Sequence, residues 1–202
     1  MGRYLVLLLM VFAVSACTTS PPRNPDNICS IFKEKDDWYD DARKASKRWK
    51  SPIPVMMSIM HQESRFRAKA KPPRKFWLGL IPAGRMSDAY GYAQAKDATW
   101  DWYRDKSGNG WASRSDFADA IDFIGWYNNV SVRTIGLPSN DTYSLYLAYH
   151  EGHGGFKRRT FDSKPWLKRV ASKVTSRSQT YAGQLAICEE ELQRGGWFFG
   201  LF

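Results

Sequence analysis

Apolar residues recur at helical spacing along most of the chain, whereas alternating strand patterns are scarce. Glycine or proline separates one periodic segment from the next. The pattern predicts helices at residues 36–50, 55–64, 96–104, 116–135, 141–150 and about 165–193. One short extended piece is predicted at 90–95. The sequence therefore predicts an all-α, mainly helical fold, with a single domain at residues 36–194.

Glu63 lies on the apolar face of the helix predicted at 55–64. The apolar residues of that face, three and four positions apart, are Met56, Ile59 and Met60. Burial would favour the protonated carboxyl, as would the partial negative charge at the end of the helix. Both effects suit a general acid. An ion pair with Arg65 or Arg67 would instead give Glu63 a structural role.

Three short segments stand out on this helical background. They are Glu63-Ser64-Arg65-Phe66, Gly91-Tyr92-Ala93-Gln94 and Ala148-Tyr149-His150-Glu151-Gly152. In this order they resemble the signature motifs of lytic transglycosylases with a goose-lysozyme-like domain, which take the forms Glu-Ser, Gly-Leu-Met-Gln and Ala-Tyr-Asn-Ala-Gly. The resemblance covers roughly residues 38–175. It implies a lysozyme-like helical domain that acts on peptidoglycan.

The resemblance also implies roles for individual residues. Glu63 would be the only catalytic acid and base, and Tyr149 would orient it through a hydrogen bond. The residues expected to bind substrate are Ser64, Gly91, Tyr92, Gln94 and His150. Glu63 would protonate the bond between MurNAc and GlcNAc, and the C6 hydroxyl would then close a 1,6-anhydro ring on MurNAc. This chemistry requires no cofactor.

The third motif departs from the family pattern. His150 replaces the asparagine that helps to hold substrate acetamido groups, and Glu151 replaces a small residue. His150 and His153 could share a helical face and bind a metal ion. However, Gly152 is expected to end the helix, and the spacing is not that of a His-Glu-x-x-His motif. We therefore predict no metal site.

Two other functions fit the same sequence. A muramidase, which hydrolyses the glycosidic bond, would need a second carboxylate, and Asp88 is the nearest candidate. A lipoprotein that binds peptidoglycan without cleaving it would keep the cleft. Retention of Glu63 on an apolar face argues against the second alternative, since a buried acid costs stability.

The first residues resemble a bacterial lipoprotein signal. Arg3 precedes an apolar stretch at 4–14, and Val14-Ser15-Ala16-Cys17 resembles a lipobox. Residues 1–16 are thus predicted to be a signal peptide, and 17–35 a lipid anchor and tether starting at acylated Cys17. Thr18 is not the aspartate that is associated with retention in the inner membrane. We therefore expect the protein to be anchored to the periplasmic face of the outer membrane. Ordinary secretion is the alternative.

Two cysteines remain after Cys17, namely Cys29 and Cys188. An even number of cysteines in an exported protein favours a disulfide, with two buried thiols as the alternative. Cys188 extends an apolar stripe on the last predicted helix. The members of that stripe are Trp166, Val170, Val174, Tyr181 and Leu185. Its sulfur should therefore face the returning N-terminal segment.

The composition indicates a folded chain, and its basic charge fits either anionic partners or a solvated surface with no specific ligand. The formal net charge is +10, and 43% of residues are hydrophobic. The export signal argues against nucleic acid, so peptidoglycan and the membrane surface are the expected partners; protein partners cannot be predicted. Basic and aromatic residues at 69–85 predict a loop that covers the glycan cleft, contacts the membrane or folds back on the core. The aromatic tail at 195–202 could likewise dock on the domain or enter the membrane interface.

Overall fold

The computed structural model describes residues 20–77 and 81–198, with side chains except at 75–77, 81–83 and 195–198. The elements in these ranges are α1 (Ile28–Glu34), α2 (Trp38–Trp49), α3 (Ile53–Ser64), β1 (Arg74–Trp77), β2 (Ile81–Arg85), α4 (Asp97–Ser107), α5 (Phe117–Ile135), α6 (Thr142–Lys157) and α7 (Pro165–Phe198). The predicted signal peptide, the lipidation site Cys17 and the last four residues lie outside the described residues.

The all-α prediction is confirmed. Each of the predicted helices is present, and the extended piece predicted at 90–95 corresponds to an isolated bridge between Tyr90 and Ala95. Gly152, with φ 73° and ψ 159°, is not helical, so the first helical segment of α6 ends there as predicted. A second short helical segment follows it and completes α6 at Lys157.

Two elements escaped the sequence prediction. Helix α1 has only seven residues, too few for a repeated apolar stripe, and it lies where a tether was expected. Its residues Ile28 and Ile31 are fully buried, so the folded domain begins before residue 36. The predicted loop at 69–85 contains an antiparallel hairpin of β1 and β2, in which Arg74 pairs with Arg85.

Helix α5 is the centre of the core. It packs against α2, α3, α4 and α6, and both of its faces contribute buried residues. Gly125 allows the close approach of these helices. A Cβ atom at that position would lie 3.0 Å from both the Met56 sulfur and a Trp49 ring carbon. The apolar faces of α2 and α3 therefore meet at this point of α5.

Helix α7 binds the N-terminal segment back onto the domain. Cys29 and Cys188 form a disulfide with a Cα–Cα distance of 6.1 Å, which confirms the predicted pairing. The Gln184 side chain accepts a hydrogen bond from the Ile28 amide at 2.9 Å. Trp166, placed on the buried stripe from the sequence, is 48% exposed, so the inward face begins at Leu167 instead.

None of the helices in the described ranges is sufficiently long and apolar to cross a membrane.

Replacing both bonded cysteines, Cys29→Ala with Cys188→Ala, should lower the free energy of unfolding by about 5 kcal/mol in the chain-entropy model. The large effect follows from the sequence separation of 159 residues between them. Urea unfolding followed by circular dichroism measures the difference, and wild-type protein treated with a reductant is the control. A loss below about 1 kcal/mol would mean that the bond constrains the unfolded chain little.

Candidate active site

A cleft of about 490 Å³ opens between α3, the base of the hairpin, α5 and the second half of α6. Its volume is in the range typical of ligand-binding sites. The lining residues with polar or ionisable side chains include Glu63, Gln94, Lys96, Tyr149, His150 and Glu151. The fold thus brings residues from all three sequence motifs to one cleft.

Glu63 lies in the last turn of α3, half-buried in the wall of the cleft. Helix α3 ends just beyond it because Arg65 adopts a left-handed conformation with φ 51°. Burial raises the pKa of Glu63 to about 7, and a hydrogen bond from Tyr146 opposes the increase. Arg67 instead donates its Nε hydrogen to the Ser64 carbonyl at 2.9 Å. Among the side chains that the structure describes, neither Arg65 nor Arg67 forms an ion pair with Glu63, so Glu63 is a candidate acid.

Two tyrosines of α6 lie near Glu63, but their contacts differ from the prediction. The Tyr149 hydroxyl donates to the Ala93 carbonyl at 2.6 Å, and it has only one hydrogen to donate. Tyr146, which the sequence motifs do not include, is the one that stabilises ionised Glu63. Burial and the nearby carboxylate raise the pKa values of both tyrosines. The hydrogen bond predicted from Tyr149 to Glu63 is therefore wrong, and Tyr146 is the tyrosine that lowers the pKa of Glu63.

The second motif shapes the backbone beside the cleft. Gln94 lines the cleft as predicted, whereas Gly91, also predicted to contact substrate, does not. Gly91 has φ 78°, and a Cβ atom there would lie 2.0 Å from the Arg114 carbonyl oxygen. The Gln94 amide donates to the carbonyls of Ala70 at 3.0 Å and Gly91 at 2.8 Å. Because both amide hydrogens are committed, the side-chain oxygen of Gln94 is the group that can accept a hydrogen bond from a ligand.

Ser64 and Tyr92 do not line the cleft, contrary to their predicted contact with substrate. Ser64 is 1% exposed, and its hydroxyl donates to the Met60 carbonyl at 3.2 Å within α3. Tyr92 is 3% exposed and packs edge-on against Trp38, with ring centroids 5.7 Å apart. Both belong to the packing behind the site.

The third motif places a histidine and a carboxylate in the cleft wall. His150 is exposed, and its Nδ1 atom lies 3.0 Å from the Glu151 carboxylate. Lys164 donates to both carboxylate oxygens at 2.8 Å, and the Thr160 hydroxyl also donates to one of them. Burial would raise the pKa of Glu151, but the hydrogen bonds from Lys164, Thr160 and His150 lower it to about 2.

Asp88 lies outside the cleft lining although its neighbours Ser87 and Ala89 belong to it. Its side chain is exposed and accepts the Asp97 amide hydrogen at 3.3 Å, at the start of α4. The carboxylate proposed for a muramidase is therefore not directed to the site by any described contact.

The two histidines of α6 are held by different partners. The ring of His153 stacks on Tyr127 at a centroid distance of 4.5 Å, and its Nε2 lies 2.9 Å from the Ser131 hydroxyl. His150 faces Glu151 instead. In the part of the chain that the structure describes, no three potential metal-ligating side chains form a group that could hold an ion.

A family model described as the transglycosylase SLT domain matches residues 5–188, which is most of the chain. The chain belongs to this family. Searches of curated proteins and of solved structures found no match. Membership identifies a lysozyme-like, lytic transglycosylase-type domain whose substrate is peptidoglycan.

Sequence reasoning missed several residues that line or support the SLT cleft. Phe123 and Tyr127 line it from α5, four positions apart on one helical face. Tyr146 lies three positions before Tyr149 on α6, so helical spacing from the third motif could have identified it. Thr99 also lines the cleft, but no motif in the sequence identifies it.

Tyr146→Phe should raise the pKa of Glu63 above about 7, because it removes a hydrogen bond to the ionised carboxylate. Carbon NMR titration of the Glu63 carboxyl measures this directly. Tyr149→Phe is the matched control. It should leave the Glu63 pKa nearly unchanged and lower thermal stability, since Ala93 loses its hydrogen-bond donor. A larger pKa change in Tyr149→Phe would reverse the two assignments.

Proposed function

We propose that this SLT domain cleaves the β-1,4 bond between MurNAc and GlcNAc in peptidoglycan, with Glu63 as the only acid and base and 1,6-anhydro-MurNAc as the product. The observation that carries the proposal is the half-buried Glu63 carboxyl in the cleft, whose pKa is raised to about 7. Near neutral pH such a group can donate a proton and then accept one.

The reaction has two proton transfers. Protonated Glu63 donates its proton to the glycosidic oxygen as the bond from MurNAc C1 to that oxygen breaks. The acetamido group of MurNAc stabilises the positive charge at C1. Ionised Glu63 then removes the proton of the C6 hydroxyl, whose oxygen bonds to C1. The enzyme regains its proton, and no water is consumed.

The charges of the cleft support a mechanism with a single carboxyl group. Glu151 also lines the cleft, but Lys164, Thr160 and His150 occupy its oxygens and hold it ionised. A carboxylate so engaged is poorly suited to activating water. Asp88 is exposed outside the lining. The geometry thus favours the transglycosylase over the muramidase.

A domain that only binds peptidoglycan would have no use for a half-buried acid. The raised pKa of Glu63 means that its ionised form is destabilised in the folded protein. An unreactive cleft would gain stability by replacing this residue. A catalytic role explains why Glu63 is present despite the stability that it costs.

Glu63→Gln should reduce turnover of purified peptidoglycan by roughly 100- to 1,000-fold or more, because glutamine can neither donate nor accept the required proton. Binding and the folded structure should be nearly unchanged. Asp88→Asn is the matched control, an equally small change at an exposed carboxylate, and it should retain most activity. Release of soluble muropeptides, followed by chromatography, measures both variants.

Mass spectrometry of the products separates the two reactions. Products made in water labelled with heavy oxygen should contain 1,6-anhydro-MurNAc without the label, since the ring closes on an internal hydroxyl. Label at the reducing end of MurNAc, lost together with activity in Asp88→Asn, would identify a muramidase. Activity of Glu63→Gln within about tenfold of wild type would exclude Glu63 as the acid.

We further propose that the protein is a lipoprotein, anchored through acylated Cys17 to the periplasmic face of the outer membrane. Support comes from the sequence of residues 1–18, with its basic start, apolar stretch and lipobox-like segment. A short chain from residue 17 to the buried Pro22 would then connect the lipid to the domain. This arrangement would hold the cleft close to the peptidoglycan layer.

Cys17→Ala should abolish fatty-acid labelling and release the protein from isolated membranes, because acyl chains would no longer insert into the bilayer. Fractionation with a high-salt wash and immunodetection measures this. Persistence of Cys17→Ala in the washed membrane fraction would place the anchor elsewhere, for example in the hairpin or the C-terminal tail.

A further inference from the structure

Glu151 is more tightly held than a typical surface carboxylate. Its side chain is 4% exposed, and Lys164 contacts both carboxylate oxygens at 2.8 Å. The Thr160 hydroxyl donates to Oε2, and His150 Nδ1 lies 3.0 Å from Oε1. Gly155 leaves room for this cluster, since a Cβ atom there would lie 3.1 Å from both the Glu151 Cβ and the Thr160 hydroxyl.

This cluster determines which nitrogen of His150 carries hydrogen. An ionised carboxylate can only accept hydrogen bonds, so Nδ1 of His150 must be the donor in their contact. In the neutral ring, Nε2 is then left with a lone pair. Trp166 packs edge-on against the same ring at a centroid distance of 5.3 Å and further restricts its rotation.

We infer that Glu151 is a positioning residue that holds His150 in one tautomer, so that His150 Nε2 accepts a hydrogen bond from a donor group on the bound glycan strand. His150 lines the same cleft as Glu63, and its Nε2 has no partner among the described residues. His150 is then a specificity-determining residue for the sugar chain. The inference rests on the proposed function only in requiring that a glycan strand occupies this cleft.

The donor on the glycan is a hydroxyl or the N–H of an acetamido group. An asparagine at this position could both donate and accept through its amide, whereas a histidine ring that carries its hydrogen only on Nδ1 can only accept through Nε2. Without a fixed ring the two tautomers would compete, and part of the population would present a hydrogen to the sugar donor. Glu151 removes that competition through its contact with His150 Nδ1.

A double-mutant cycle tests whether Glu151 acts through His150. All variants carry Glu63→Gln, so that soluble strands of alternating GlcNAc and MurNAc are bound without being cleaved. Calorimetry measures the dissociation constant. His150→Ala should weaken binding roughly five- to tenfold, as expected for one lost hydrogen bond, and Glu151→Gln roughly three- to tenfold. When His150 is already alanine, Glu151→Gln should change the constant by less than about twofold.

Asp162→Asn is the matched control. Asp162 is an exposed carboxylate on the same segment, paired with Arg159 and Lys168, and its replacement should leave binding within about twofold. If Glu151→Gln fails to fold with Lys164 unpaired, Glu151→Gln with Lys164→Met removes both charges and enters the cycle instead. Nitrogen NMR of His150 should show hydrogen on Nδ1 in the parent protein and mixed tautomers in the Glu151 variant.

Equal losses from Glu151→Gln with and without His150 would make Glu151 a purely structural residue and overturn the inference. Unchanged binding in Glu151→Gln would also overturn it. Because these measurements involve no turnover, they are independent of the product analysis. Absence of anhydro products would refute the proposed reaction, while a cycle with the expected coupling would still establish the role of Glu151.

Discussion

Desolvation of the Glu63 carboxyl is the constraint on which the site depends. Burial raises its pKa to about 7, and the ionised form is thereby destabilised by roughly 3 kcal/mol relative to water. Helix α3 remains stable despite this unfavourable term because its apolar side chains are fully buried, namely Met56, Met57, Ile59 and Met60. Each such side chain contributes roughly 1.5–3 kcal/mol through burial, so together they outweigh the carboxyl.

Two carboxyl groups in one cleft have pKa values that are shifted in opposite directions. Glu63 has Tyr146 as its stabilising hydrogen-bond partner, and its pKa rises. Glu151 is also buried, yet Lys164, Thr160 and His150 lower its pKa to about 2. Hydrogen bonding and charge therefore decide the outcome where burial alone would act alike on both. This difference supports the proposed roles, in which Glu63 transfers protons and Glu151 positions His150.

The rest of the fold keeps these groups in place. Helix α5 supports α3 and α6, which carry Glu63 and Glu151. The disulfide between Cys29 and Cys188 holds α1 against α7, and α7 packs on both α3 and α6. The N-terminal segment, which from the sequence was expected to be a tether, thus completes the scaffold behind the cleft.

Periodicity and motif order were sufficient for the helical fold, for Glu63 as the candidate acid and for the pairing of the two cysteines, because these depend on local spacing and composition. Helix α1 and the hairpin could not be predicted, because such short elements show no repeated pattern of apolar residues. The partners of the site residues depend on tertiary structure: Tyr149 donates to Ala93, Tyr146 faces Glu63, and Ser64 is buried. Side-chain direction and competition for a single hydrogen decide these contacts, and both arise only when distant helices pack together.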